Sequence, residues 1–136
     1  MAAVRLQKYK GNLKKAFNWS ASLQYRGTVN VSKKTPTGYG LYGFKTSGGD
    51  CYVMASTFYW MAKVAGYDAH YVKGYFQKSG GRKGAHAWVE IDQKVGGKTK
   101  TYVYDPNFQQ EYELNGYKLT YGAKRTLKYV NYKRVN

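Results

Sequence analysis

From Cys51 to Ala65 the chain contains neither proline nor glycine. Val53, Met54, Ala55, Phe58, Tyr59, Trp60, Met61, Ala62 and Val64 leave that stretch almost without a polar face. Such a pattern predicts a helix buried on most sides, around which everything else must pack. Gly66 supplies its C-terminal stop. Gly48-Gly49-Asp50 leads in, and the two glycines let the backbone enter tightly. Cys51, the only cysteine, falls in the first turn. There the positive end of the helix dipole favours a thiolate. Most lone cysteines are simply small buried hydrophobes, so the rest of the chain has to decide between the two.

Ahead of this helix, Leu6, Tyr9, Leu13, Ala16 and Phe17 recur at helical spacing, with Lys8, Lys10, Lys14 and Lys15 opposite. They predict one amphipathic helix over residues 5–20, weakened by Gly11. Residues 26–50 hold six glycines (Gly27, Gly38, Gly40, Gly43, Gly48, Gly49) and Pro36. They read as a long loop region with at most short elements, fit to wall a cleft. After the helix come strand patterns at 69–77, 85–92 and 100–105, with Gly96-Gly97 as a hairpin turn. Asn115-Gly116 predicts a second hairpin between 111–114 and 117–121, and 126–134 reads as a last strand. The expected architecture is α+β: one domain over 1–136, helices first, the central Cys-bearing helix packed on an antiparallel sheet.

Composition narrows the partners. With 23 Lys+Arg against 7 Asp+Glu the net charge is +16, which implies polyanionic surroundings: nucleic acid, an anionic cell-wall polymer or a membrane surface. No run of about 18 apolar residues exists, so no membrane span is expected. A single cysteine excludes an internal disulfide. The N-terminus lacks an apolar signal region, and the chain reads as a monomeric domain excised from a longer secreted parent.

The histidine pattern bears on the two readings of Cys51. On a strand, His86, Trp88 and Glu90 share one face. If Gly96-Gly97 is a two-residue turn, Val95 faces Lys98 and the ladder carries Trp88 opposite Asp105. His86 and Asp105 then become diagonal neighbours on one face, about 7–8 Å apart at the backbone and within side-chain reach. A carboxylate there can fix the tautomer of the imidazole, leaving its other nitrogen for the thiol of Cys51.

Gly49-Asp50-Cys51-Tyr52-Val53-Met54-Ala55, Ala65-Gly66-Tyr67-Asp68-Ala69, His86-Ala87-Trp88-Val89-Glu90 and Tyr104-Asp105-Pro106 together resemble the transglutaminase-like domain. The resemblance spans residues 40–108 and, weakly, 5–25; the tail from 109 is not diagnostic. It implies a papain-like fold with Cys51 as nucleophile, His86 as base and Asp105 as orienting acid. Known members include calcium-dependent cross-linking enzymes, cysteine peptidases, amide hydrolases and inactive domains. The resemblance therefore implies acyl transfer from a protein or peptide amide through a thioester, without choosing water or an amine as acceptor. Only 7 acidic residues argue against calcium cages, and one cysteine excludes the zinc-cysteine site of the glycan-amidase branch. No cofactor or metal is expected. The family also suggests a bacterial, extracellular or cell-surface setting.

The expected oxyanion donors are the Cys51 N–H and a side chain from upstream, Gln24 or Trp19. Trp88 and Tyr52 are the candidates for the cleft wall, although Trp19 and Trp88 also suit a core. Hydrolysis is the favoured outcome, since transamidation needs a cleft that excludes water and no residue pattern supplies one. The competing reading is a non-catalytic basic module. Tyr117-Lys118, Lys124-Arg125, Lys128-Tyr129 and Tyr132-Lys133-Arg134 interleave charge with aromatics, as proteins binding anionic glycopolymer or nucleic acid do.

Overall fold

The computed structural model describes all 136 residues. The central helix α4, Cys51–Val64, forms as its sequence demands, with Val53, Met54, Ala55, Phe58, Met61 and Ala62 fully buried. Asp50 caps it, its Oδ1 accepting the Val53 N–H at 3.1 Å. Three shorter helices precede it. The single amphipathic helix expected over 5–20 is in fact two, α1 (Ala2–Lys8) and α2 (Leu13–Ala21). Lys10 and Gly11 turn the backbone at φ 52° and 74°, and Asn12 restarts it by capping the Lys15 N–H. The break has a packing cause. Leu6 of α1 and Ala16 of α2 both bury against Met61. A straight helix would hold them about 15 Å apart along its axis.

The glycine-rich region is also more ordered than its composition suggests. Residues 36–46, expected as loop, are the helix α3, Pro36–Thr46. Thr35 caps it, Pro36 occupies its first turn, and Ser47 closes it in the left-handed conformation at φ 54°. Its glycines are a contact surface. A Cβ at Gly40 would stand 2.7 Å from the Trp60 ring, and one at Gly43 2.5 Å from Thr57 and 2.6 Å from Val53. The absence of side chains lets α3 lie directly on α4, and that packing offsets the poor helix propensity of glycine. Residues 26–35 remain irregular, as expected.

Two short strands, β1 (Gln24–Tyr25) and β2 (Gly48–Gly49), pair in parallel just before α4. The main sheet contains β3 (Asp68–Gln77), β4 (Lys83–Val95), β5 (Lys98–Tyr104) and β6 (Tyr129–Arg134), all antiparallel in the order β5-β4-β3-β6. The β4–β5 ladder runs from Val95 opposite Lys98 to Val89 opposite Tyr104, the register that a Gly96-Gly97 turn predicts. Tyr71, Ala87, Val89 and Ile91 pack on Ala55, Phe58 and Tyr59 of α4. The opposite face, with Val72, Trp88 and Val103, is covered by Leu119, Tyr121, Leu127 and Tyr129.

The hairpin expected around Asn115-Gly116 does not form. Pro106–Tyr112 is the helix α5, and the tail adds only an isolated bridge between Leu119 and Val103 before β6 begins at Tyr129. Gly116 is used for tertiary contact instead. Its carbonyl accepts the Asp105 N–H at 2.9 Å, and a Cβ there would collide with the Asp105 carbonyl. No helix is long and apolar enough to cross a membrane.

Candidate active site

Cys51 opens α4 at the end of the β1–β2 pair and is half-buried. The capping carboxyl of Asp50 engages the N–H groups that follow Cys51, and burial chiefly raises its pKa. The N–H of Cys51 itself, at the first helical position, has no intrahelical partner. Tyr25, Tyr39, Tyr52 and Tyr71 surround the thiol. Burial first and the nearby Cys51 second raise the pKa of all four hydroxyls apart from Tyr39, where Asp50 outranks Cys51; Tyr52 is pushed up to about 12. These hydroxyls therefore stay protonated.

His86 lies on β4 with 3% of its surface exposed. Its ring stacks on Trp88 at 5.8 Å and meets the edge of Phe76 at 5.4 Å. Its Nε2 lies 2.8 Å from Oδ2 of Asp105, and the Cys51 thiol is near enough to act on its ring. Burial pulls the imidazole pKa down. The charge and hydrogen bond of Asp105, joined by those of Cys51, outweigh this and raise it to about 10. The imidazole is thus held between thiol and carboxylate, with Nδ1 left for Cys51.

Asp105 is fully buried and serves two structures at once. Oδ1 caps α5, accepting the Phe108 N–H at 3.1 Å. Oδ2 accepts from His86 and also from the Tyr129 hydroxyl at 2.6 Å. In the sequence Tyr129 reads only as part of the basic, aromatic tail and not as a site residue. No local pattern marks a residue that reaches Asp105 from another strand.

The remaining candidates separate. Gln24, on β1, pairs with Gly48 and so lies beside the segment that delivers Cys51; it is exposed. Trp19 packs elsewhere, stacked on Phe44 at 5.5 Å with the Arg5 guanidinium 4.5 Å from its ring centre. Trp88 is no cleft wall. It is fully buried, and its indole N–H donates to the Tyr121 hydroxyl at 2.8 Å. Tyr121 in turn donates to Glu90, which Arg134 holds at 2.6 Å. Tyr52 does line an open concavity, stacked on Tyr39 at 5.5 Å.

The family profile of the transglutaminase-like superfamily matches residues 3–106, which include Cys51, His86 and Asp105. The chain belongs to the transglutaminase-like superfamily. A solved structure from Cytophaga hutchinsonii, provisionally assigned as a cysteine protease, superposes with a TM-score of 0.53 at 14% identity. The match covers 77% of this chain and 36% of that one. It supports the papain-like, transglutaminase-like fold. No curated protein matches the sequence.

The residues of this transglutaminase-like domain that best suit a cation stand apart from the thiol. Asp68, His70 and Asp92 bring their ligand atoms within 4.8 Å of one another. Arg134 already neutralises Asp92 at 2.7 Å, and its hydrogen bond is the main cause of the lowered Asp92 pKa. Asp92 lies six residues along β4 from His86, about 20 Å away.

Proposed function

We propose that this domain is a cysteine-dependent amide hydrolase, with Cys51 as nucleophile, His86 as acid and base, and Asp105 as the group that orients His86. The observation that carries the reading is a buried imidazole hydrogen-bonded to a buried carboxylate, with the sole thiol, at the start of α4, near enough to raise its pKa. Superfamily membership supports the same chemistry. With its pKa raised to about 10, His86 is protonated at neutral pH, which favours a thiolate–imidazolium pair.

The steps follow from those positions. The Cys51 sulfur attacks the amide carbonyl carbon, and the N–H of Cys51 donates to the developing oxyanion, with the Gln24 side chain as second donor. The C–N bond breaks as His86 gives its proton to the leaving amine, leaving a thioester. Water then attacks the thioester, His86 takes its proton, and the C–S bond breaks to release a carboxylic acid and the thiolate. Hydrolysis is preferred to transamidation because Cys51 is only half-buried, which leaves its thioester open to water.

Alkylation of Cys51 by iodoacetamide, followed against pH, tests this. Wild-type protein should react well below the free-thiol range near pH 8.5, and His86→Ala should lose that reactivity. A slow reaction indifferent to His86 would make Cys51 structural and leave the basic binding module as the better reading.

A further inference from the structure

Lys73 of β3 stands directly opposite Lys133 of β6. Two like charges facing each other across antiparallel strands repel, and sheets normally avoid the arrangement. Neither lysine takes part in an ion pair. The Lys73 ammonium instead lies over the rings of Tyr52 and Tyr39, 5.5 and 5.9 Å from their centres. These contacts hold the charge in place without neutralising it.

The two lysines edge a concavity of about 430 Å³. Tyr52, Gly74, Tyr75 and Ala85 are among the residues that line it with them. It contains no carboxylate. Its place in the chain ties it to the reacting groups, since Tyr52 follows Cys51 and Gly74 pairs with His86. A second concavity, of about 350 Å³, is lined by Tyr25, Asn107, Gln110 and Glu111, so its fixed charge is negative. Tyr25 pairs with Gly49, two residues ahead of Cys51, which brings this second space to the segment that delivers the thiol.

We propose that the Lys73–Lys133 concavity is a substrate subsite for a carboxylate, so that the domain selects peptide amides bearing an acidic residue beside the bond attacked by Cys51. This rests on the thiol-hydrolase reading above. The Glu111 side disfavours the same acid there, so the opposed charges also set the direction in which a substrate lies. A carboxylate between Lys73 and Lys133 removes their mutual repulsion, which gives acidic substrates a gain that neutral ones of equal size lack.

The test compares N-chloroacetyl-glutamate with N-chloroacetyl-glutamine, alike in size and different by one charge, as alkylating agents for Cys51. The glutamate reagent should react about 10-fold faster, and the double variant Lys73→Gln/Lys133→Gln should bring the two within about twofold by slowing only the glutamate reagent. Lys98→Gln/Lys100→Gln, at the far end of the sheet, removes the same net charge and should leave the preference intact. Equal rates on wild type, or an equal loss in the remote variant, would overturn the subsite in favour of a general field. Iodoacetamide separates the two readings, because the loss of its His86 dependence condemns the catalytic thiol and not the subsite. The subsite is then read on Cys51→Ala protein through the amide resonances of Gly74 and Ala85, titrated with acetyl-Glu-Gly-amide and acetyl-Gln-Gly-amide. Shifts with the acidic peptide alone, abolished by the Lys73/Lys133 variant, support it; no shift, or equal shifts, overturns it.

Discussion

Asp105 accepts from His86, Tyr129 and the N–H of Phe108 on one carboxylate. A hydroxyl donating to Oδ2 withdraws negative charge from the bond to His86. Tyr129→Phe should therefore leave Asp105 a stronger partner, and the basic limb of the alkylation pH profile should move to higher pH. The lost hydrogen bond should also cost about 1 kcal/mol of stability. An unchanged profile with that stability loss would reduce Tyr129 to packing. His86 itself links stability to pH. Its pKa rises from 6.5 to about 10 on folding, so the folded state binds the proton more tightly than the unfolded chain. The stabilisation is complete below about pH 6.5 and fades as pH climbs toward 10. Approach to the pI near 9.8 works in the opposite sense by relieving charge repulsion. Urea midpoints of wild type and His86→Gln across this range separate the two: wild type should lose more stability, or gain less, than the variant. Parallel curves would contradict the raised imidazole.

At the scale of elements, α3 is the informative case. Alanine is the better helix former by about 1 kcal/mol, so Gly43→Ala would stabilise a free helix. Here the added methyl meets Thr57 and Val53 of α4, and the variant should be less stable by about 1–3 kcal/mol in denaturant titration. A rise in stability would mean that α3 does not lie this close. The same element explains a failure of sequence reading. Gly38, Gly40 and Gly43 carry loop signals locally, and only the partner helix turns two of them into a contact face. By contrast α4 and the β4–β5 register were legible, because each depends on residues close together in the chain.

For the whole molecule, charge is the dominant property. A net charge of +16 should draw the protein to anionic polymers whatever Cys51 does. Binding of wild type and Cys51→Ala to heparin resin should be equal and should weaken steeply between 50 and 200 mM salt, as about those concentrations do for polyanion binding generally. A Cys51→Ala protein that elutes earlier would tie the polyanion contact to the thiol site. The tyrosines behave differently from the lysines at this scale. Those around Cys51 and Asp105 stay protonated, whereas the lysines remain free of carboxylate partners.

The sequence by itself determined the buried Cys helix, the antiparallel sheet, the glycine turn and the diagonal placement of His86 and Asp105. These follow from hydrophobic period, turn chemistry and strand register, all of which act over neighbouring residues or one hairpin. Tertiary structure alone decided that the first helix breaks at Lys10-Gly11, that α3 exists, and that Asn115-Gly116 makes no hairpin. It alone brought Tyr129 to Asp105 and set Lys73 opposite Lys133. Each of those outcomes depends on which distant surface arrives, and close packing, not local preference, selects it.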